Sequence, residues 1–220
     1  MMIRTYTTMT RPYAFKSFYD DYSIGGNAEF ESHQFSNHVF KLSIQAKKDV
    51  HRENNLDEPQ RTFIDHTLSI GLENAYTLSS FTFVPGISYN SRNSEKAQDY
   101  NATTDEVSDF PSNNNSAVNA QLGVFYDFSA DHSVRASVSR KTRFATIKDR
   151  YSYRMGQAIP NPDLYAEVTL NYDLTYTGEI VDNFSLQVST YRSDISGIIQ
   201  QIDNVEPGRF QLQNAGDALF

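Results

Sequence analysis

Apolar and polar residues alternate along much of this sequence, and this period of two constrains its fold more than any other feature. Residues 168–176 show it most clearly, since every second one is apolar or aromatic: Val168, Leu170, Tyr172, Leu174 and Tyr176. The residues between them are Thr, Asn, Asp and Thr. Successive side chains of a β-strand point to opposite faces, so this segment is predicted to be a strand with one apolar and one small, polar face.

The same alternation recurs in seven other segments, which are residues 22–30, 40–46, 68–72, 81–89, 118–128, 134–138 and 184–188. No segment sustains the apolar spacing of a helix, so no long helix is predicted. The sequence therefore predicts an all-β antiparallel meander of about nine or ten strands. Each would have about 9 to 11 residues, the length that a tilted strand needs to cross a bilayer.

The predicted connections alternate between short and long along the chain. The short ones cover residues 32–37, 75–79, 129–132 and 179–183, and the long ones cover residues 48–62, 91–116, 140–165 and roughly 192–208. Alternate connections of an antiparallel meander lie at the same end, so one end has tight turns and the other has long loops. This asymmetry, with Phe and Tyr near the tight turns, is typical of a transmembrane outer-membrane β-barrel, whose apolar face meets lipid.

Alternation alone also fits a soluble or surface-displayed β-sheet binding domain, because successive side chains of such a sheet point alternately to its core and to solvent. The loop asymmetry, the strand length and the placement of the aromatic residues favour the barrel. A small, complete porin-like barrel of about eight to ten strands is a further alternative, since barrels of that size are physically possible.

The composition restricts the function. The 220 residues carry a formal net charge of −8, which disfavours nucleic acid as a partner. The chain has no Cys, so it has neither disulfides nor a Cys-ligated metal site. Residues 1–12 lack the apolar core of a signal peptide. No apolar run approaches the roughly 20 residues of a transmembrane helix.

The most specific stretch of the sequence is residues 134–167, VRASVSRKTRFATIKDRYSYRMGQAIPNPDLYAE. It resembles the TonB-dependent receptor family, in which a strand ending in Ser-x-x-x-Arg-x-Pro is followed by an extracellular loop and an Asn-Pro-x-Leu-x-Pro-Glu box. The matching residues are Ser137, Ser139, Arg140, Arg143, Phe144, Asn161, Pro162, Asp163, Leu164 and Glu167. Ala145 and Ala166 depart from the pattern, because the family usually has Pro there. Residues 170–178, 189–202 and 210–220 are similar to later strands of the family.

The clear resemblance covers about residues 133–220, and the earlier part matches in architecture only. The family has a barrel of about 22 strands, an N-terminal plug domain inside it and a segment that engages TonB. Residues 1–220 resemble no plug and no signal peptide, and their last segment lacks the alternating aromatics of a terminal strand. Residues 1–220 are therefore expected to be a partial barrel domain from the later part of a receptor.

The resemblance implies energised, TonB-dependent uptake of a scarce nutrient, such as a siderophore, cobalamin or a glycan, across the outer membrane of a Gram-negative bacterium. The implied partners are outer-membrane lipid and lipopolysaccharide, the TonB complex through the missing N-terminal region, and a small nutrient ligand. The five His are scattered, and no nucleophile–base grouping or phosphate loop is present. No enzymatic activity, cofactor or metal site is predicted.

The basic connection after residue 140 holds the candidate ligand contacts, which are Arg143, Arg150, Tyr151 and Arg154. They are chosen because guanidinium groups suit carboxylates, catecholates and phosphates. The alternative is that these charges solvate the connection or pair with Asp149 and Asp163. The acidic residues between positions 95 and 109 fit no calcium-binding loop and are predicted to be solvated.

Overall fold

The computed structural model describes residues 2–6, 15–154 and 156–220, and side chains for residues 16–154 and 156–220. The strands of this part are β1 (Met2–Tyr6), β2 (Phe15–Ser32), β3 (His38–Asn55), β4 (Arg61–Leu78), β5 (Phe81–Asn101), β6 (Glu106–Asp109), β7 (Asn114–Asp127), β8 (His132–Arg143), β9 (Ala158–Ile159), β10 (Glu167–Val181), β11 (Phe184–Ser196), β12 (Ile199–Glu206), β13 (Arg209–Asn214) and β14 (Asp217–Leu219). The helix α1 (Ile147–Tyr151) has five residues.

The main sheet is an antiparallel meander, as predicted. Its strands follow the order β1-β2-β3-β4-β5-β7-β8-β10-β11-β14, and β6 pairs with the far end of β5. A small second sheet has the order β12-β13-β9, in which β9 runs parallel to β13. The main sheet is thus built almost entirely from neighbours in sequence, which is the arrangement that alternating turns and loops produce.

The tight connections lie where the sequence predicted them, although those predicted at 75–79 and 179–183 are shorter than expected. We call the end of the sheet that carries them the turn end. They cover residues 33–37, 79–80, 128–131 and 182–183. Three of them contain a residue with a left-handed backbone, which are Asn37 (φ 66°), Ser79 (φ 52°) and Asn183 (φ 65°). Asn adopts this conformation more readily than most residues, so these turns suit the local sequence.

The predicted strand length of about 9 to 11 residues was too short for β7, β8, β10 and β11, which have 12 to 15 residues, and it was further off in the first half of the sheet. Strands β2, β3 and β4 each have 18 residues and β5 has 21. Pairing continues through polar residues, for example Lys48 opposite His66 and Arg52 opposite Thr62. The predicted long connection 48–62 therefore shrinks to residues 56–60. Backbone hydrogen bonds between strands do not require apolar side chains. The strands can therefore extend beyond the segments in which apolar and polar residues alternate.

The other long connections, at the opposite or loop end of the sheet, contain structure that the sequence did not predict. The connection between β5 and β7 includes β6, the one between β8 and β10 includes α1 and β9, and the one between β11 and β14 includes the β12–β13 hairpin. Residues 210–220 do not form one strand, because the chain changes sheet between β13 and β14. Gly216 lies at this change with a left-handed backbone (φ 78°), which glycine adopts without strain.

Apolar side chains form continuous rows across one face of the main sheet, which we call the apolar face. One row joins Leu42, Leu72 and Ile87 on neighbouring strands. Ile87 keeps 55% of its surface exposed and Leu72 keeps 48%. A soluble monomer rarely exposes so continuous an apolar surface, which disfavours the sandwich alternative. The alternating residues of 168–176 share this face with Val134, Ala136 and Val138 of β8.

The opposite face, the polar face, carries small and polar side chains and borders a groove of about 840 Å³ that extends from β2 to β8. A row across four strands runs through Ser43, Gly71, Ser88 and Asn119. Next to it, the amide of Gln121 donates a hydrogen bond of 2.9 Å to Glu73. The buried apolar cluster of the molecule, which contains Phe63, Ala97 and Tyr151, lies at the loop end.

Two adjacent glycines of β2 test this register. A Cβ added to Gly25 would lie 2.6 Å from the carbonyl oxygen of Ala46, whereas one added to Gly26 would have no heavy atom within 4 Å. We expect Gly25→Ala to destabilise the protein by about 1 to 3 kcal/mol, because the backbone of β3 must shift. Gly26→Ala should change stability by less than about 0.5 kcal/mol. Denaturant unfolding in detergent micelles measures both, and equal midpoints would contradict the register.

Candidate ligand-binding region

The helix α1 folds the connection between β8 and β10 back against the sheet. A capping box fixes its start: the Thr146 hydroxyl accepts a hydrogen bond of 3.2 Å from the backbone N–H of Asp149, and the Asp149 carboxylate accepts one of 3.0 Å from the N–H of Thr146. Reciprocal caps of this kind satisfy N–H groups that a short helix leaves unpaired. The cap orients α1 so that Arg150 and Tyr151 are buried.

Arg150 enters a buried charge cluster on the polar face. Its guanidinium bonds Oδ2 of Asp65 in β4, and Arg92 Nε of β5 lies 2.6 Å from the same oxygen. Asp65 and Arg150 are both fully buried. Asp65 Oδ1 accepts no hydrogen bond from a described residue. Buried ions are stable only when paired, so this cluster ties α1 to β4 and β5.

Aromatic packing holds the same helix beside the charge cluster. The ring centroid of Tyr151 lies 5.8 Å from that of Phe63 and 5.2 Å from that of Phe110. The Tyr151 hydroxyl donates a hydrogen bond of 3.3 Å to the Ser94 hydroxyl. Ring pairs at these separations add stability beyond the area that they bury. The charge cluster and the aromatic cluster therefore form one anchor, which we call the α1 anchor.

The Arg and Glu of the resemblance motif face each other across β8 and β10. Arg143 makes two hydrogen bonds to Glu167, one of them 2.9 Å from Nη2 to Oε1. The same carboxylate accepts a hydrogen bond of 2.7 Å from the backbone N–H of Ile199 in β12. The Arg143 guanidinium holds the pKa of Glu167 below its ordinary value. This bidentate pair therefore joins the end of β8 to the starts of β10 and β12 at the loop end.

Side-chain amides support the backbone of residues 160–165, which Pro160 and Pro162 prevent from joining a ladder. Asn113 donates hydrogen bonds to the carbonyls of Pro162 and, at 3.0 Å, Leu164. Asn161 donates one of 2.8 Å to the carbonyl of Leu212, and Asn214 donates one of 3.0 Å to that of Tyr165. Leu164 is fully buried beneath this network. Residues 160–165 thus have a fixed conformation without regular structure.

Part of the connection faces solvent. Arg154 is exposed, and its guanidinium carbon lies 5.3 Å from the ring centroid of Phe210 in β13. Tyr153 donates a hydrogen bond of 2.8 Å to Asp99, and burial together with this carboxylate raises the pKa of the Tyr153 hydroxyl. A cation over an aromatic ring offers a surface that suits planar or anionic ligands.

The predicted ligand contacts separate into two groups in the structure. Arg150 and Tyr151 belong to the α1 anchor and do not reach solvent in this conformation. Arg143 and Arg154 reach solvent, although Arg143 also lies 3.5 Å from Asp149, as the alternative expected. Asp65, which completes the anchor from β4, was not among the predicted contacts, and nothing in the local pattern of β4 marks it.

The described residues offer no grouping of three or more His, Asp or Glu side chains with the geometry of a metal site. Within the same part of the chain, no helix is both long and apolar enough to cross a membrane.

An open antiparallel meander with one exposed apolar face, one polar face and ordered connections at one end defines the class of the protein, the wall of a β-barrel. Residues 3–219 match the protein family described as TonB dependent receptor-like, beta-barrel. Because the match covers nearly the whole chain, the chain belongs to the TonB-dependent receptor family. The resemblance seen in residues 133–220 is confirmed and extends to the earlier strands.

Solved structures with the same fold are receptors and transporters. They include the copper transporter OprC (TM-score 0.78, 13% identity), a double mutant of the Serratia marcescens hemophore receptor HasR in complex with its hemophore HasA and heme (0.69, 13%), and the FrpB iron transporter from Neisseria meningitidis (0.68, 14%). These matches cover 96%, 94% and 94% of the chain but only 36%, 39% and 32% of those proteins. At these identities the likeness is one of fold. No curated protein matches the chain.

The α1 anchor gives a test of how the connection is held. We expect Asp65→Asn to release the connection between β8 and β10 from the sheet, because it leaves the buried guanidinium of Arg150 and the half-buried one of Arg92 without a carboxylate. Breaking a buried pair costs about 3 to 5 kcal/mol. Limited proteolysis should then cut this connection faster than in the wild type.

Asp163→Asn is the matched control, since Asp163 lies in the same connection but is exposed. The control should be cut at the wild-type rate. If Asp65→Asn were as resistant as the control, the anchor would not be what holds the connection.

Proposed function

We propose that the chain forms part of the barrel wall of an outer-membrane receptor that takes up a scarce nutrient in a TonB-dependent way. The match of residues 3–219 to the barrel family carries this proposal. The chain spans 32% to 39% of the three solved proteins compared above. In this proposal the plug, the remaining strands and the segment that engages TonB belong to the receptor as a whole.

The apolar face supports a location in the outer membrane. In β3 the side chains on this face are apolar from Phe40 to Ala46 and become charged at Lys48. A barrel presents an outward apolar band about 25 Å tall to the lipid, which a tilted strand crosses with about 9 to 11 residues, so the segment from Phe40 to Ala46 would cover roughly two-thirds of it. The polar face would then line the interior, and the loop end would face the outside of the cell.

The nutrient would meet the loop end first, and two features there favour an anionic or metal-bearing ligand. The Arg154–Phe210 pair offers a guanidinium group to solvent, and the half-exposed Arg143 adds a second one that is already paired with Glu167. Guanidinium groups suit the oxygen donors of a siderophore complex. The named cargoes of the neighbouring folds are copper, heme and iron. A ferric siderophore or a comparable metal complex is therefore the substrate class we propose first, with cobalamin or a glycan as the other candidates.

Uptake in whole cells tests this function. A Gram-negative strain that lacks other receptors for the probe would be supplied with the gene that encodes the full receptor, and accumulation of radiolabelled ferric siderophores and cobalamin would be measured with and without TonB. We expect accumulation of one probe class to require both the receptor and TonB. Accumulation that survives loss of TonB would instead indicate a passive, porin-like barrel.

The same assay tests the ligand contact. Arg154→Gln should raise the half-saturating concentration about tenfold, because hydrogen bonds to charged groups contribute about 1.5 to 3 kcal/mol. Lys148→Gln, an exposed substitution on α1, is the matched control and should leave uptake unchanged. Equal uptake by both variants would remove Arg154 from the ligand site.

The lipid-facing assignment predicts a difference between neighbouring positions of β10. Leu174 lies on the apolar face and is 49% exposed, whereas Thr175 lies on the polar face and hydrogen-bonds Ser189 at 2.9 Å. Leu174→Arg should cost about 2 to 4 kcal/mol near the bilayer midplane, and Thr175→Arg far less. Folding into phospholipid vesicles, followed by denaturant titration, measures both. Equal tolerance at the two positions would refute the assignment.

A further inference from the structure

The ladder between β7 and β8 stops before either strand ends. Its last pair at the loop end is Ala120 with Arg140. Beyond this pair, residues 114–119 of β7 stay paired with β5, and residues 141–143 of β8 stay paired with β10. Each strand therefore keeps one neighbour and loses the other, which leaves a wedge-shaped opening in the main sheet. We call this opening the seam.

Side chains bridge the seam where the backbone does not. Thr142 pairs with Val168 of the apolar face, whereas Asn119 lies on the polar face. The Thr142 hydroxyl nevertheless donates a hydrogen bond of 3.1 Å to the amide oxygen of Asn119. Arg140 similarly donates one to the carbonyl of Val118. Side chains of opposite faces do not meet across an intact ladder, so these contacts show that the two strands separate here.

The long connections on one side of the seam form a single unit. Residues 144–166 follow β8, residues 197–216 follow β11, and the pairing of β9 with β13 joins the two. The backbone N–H of Phe210 also donates a hydrogen bond of 2.9 Å to the carbonyl of Gln157. We call the described residues of these two ranges the lid. Its four ends continue into β8, β10, β11 and β14, which all lie on the same side of the seam.

Only side chains hold the lid to the other side of the seam. Among the described residues, no backbone–backbone hydrogen bond joins the lid to β2–β7. The contacts across the seam are those of the α1 anchor, the hydrogen bond from Tyr153 to Asp99, and the bonds from the amide of Asn113 to residues 162 and 164. Release of the lid would therefore break no ladder of the main sheet.

Release of the α1 anchor would free two buried charges together. Asp65 and Arg150 are both fully buried, and the loss of their hydration offsets their attraction. Asp65 Oδ1 accepts no hydrogen bond from a described residue, so its burial is not fully compensated. Opening exposes both ions to water at once, which avoids leaving either one buried and unpaired. Units with two discrete packing arrangements of this kind are the usual basis of hinged closure.

The lid lies on the polar face between the loop end and the groove. Its anchor point, Asp65, is nearer the loop end of β4 than Gly71, which lines the groove. We propose that the lid is a gate that opens along the seam when Arg150 leaves Asp65, and that it admits the nutrient to the polar face. The role in uptake rests on the proposed function, whereas the hinge does not. Gates of this kind control entry to many binding sites.

Crosslinking across the seam tests the hinge. The pair Asn119→Cys and Thr142→Cys would be introduced into the full receptor without other cysteines, and the rate of disulfide formation measured. Asp65→Asn should slow this reaction about tenfold, because loss of the anchor raises the open population. Leu122→Cys with Val138→Cys is the matched control, since these residues face each other in the intact ladder. Its rate should not respond to Asp65→Asn, which also shows that the variant barrel is folded.

Uptake by the crosslinked receptor tests the gate. The probe is the radiolabelled ferric siderophore or cobalamin that the wild type accumulates. Oxidation of the seam pair should lower TonB-dependent uptake at least about tenfold, because the lid cannot open, and reduction should restore it. The oxidised control pair should keep the wild-type rate, since it lies on the apolar face. Wild-type uptake by the seam-locked receptor, a seam reaction that does not respond to Asp65→Asn, or a seam pair that forms no disulfide would each overturn the proposal.

Failure of this inference can be told apart from failure of the proposed function. If the seam pair responds to Asp65→Asn as expected but the wild-type receptor accumulates no probe, the hinge is supported and the proposed function is wrong. If the wild type accumulates a probe at a rate that the seam disulfide does not change, only the gate is wrong.

Discussion

The continuous antiparallel ladder from β1 to β14 is the constraint on which the rest of the structure depends. In hydrocarbon every backbone N–H and C=O must be paired within the protein, because no water is present to replace a missing partner. Strands β2 and β3 meet this requirement along their apolar sections, as the unbroken register from Phe30–Leu42 to Gly26–Ala46 shows. Because the backbone is paired in this way, the side chains of the two faces can contact two different environments. They need not pack into a central core.

The sheet accordingly has little conventional core, and its buried residues concentrate where the connections fold back on it. The Phe63–Tyr151 contact and the Asp65–Arg150 pair lie at the loop end. Strands β3 and β4 reach this region only because their ladder continues past Lys48 into polar sequence. The long strands therefore act as supports that carry the α1 anchor away from the apolar band.

The alternation of residues 168–176 and the tight turns at Asn37 and Asn183 were predictable, because both follow from local sequence. The extension of β3 and β4 was not predictable. A strand segment with polar residues on both faces lacks the apolar–polar alternation that distinguishes a strand from a loop. The α1 helix is too short to show a period. These misses concern the loop end, where tertiary contacts decide the structure.

The predicted ligand contacts separated into buried and exposed residues for a related reason. Basic residues in a connection can be recognised from sequence, but their partners cannot when they are distant in sequence. Asp65 lies 85 residues from Arg150, and an isolated carboxylate on the polar side of a strand gives no sign of such a pair. By contrast, Arg143 and Glu167 were singled out by the family motif, and their bidentate contact gives that motif a structural reason.

In the proposed function, the burial of some of these arginines would position others for a ligand. Arg150 and the amides of Asn113 and Asn214 use their hydrogen bonds to hold α1 and residues 160–165 against the sheet. Arg154 is carried on this fixed segment and stacks on Phe210, which belongs to a different strand pair. A ligand that meets a preformed cationic surface loses less affinity to ordering of the protein than one that must order a mobile loop. Selection for binding at the loop end would therefore act on the anchor residues as well as on the exposed arginines.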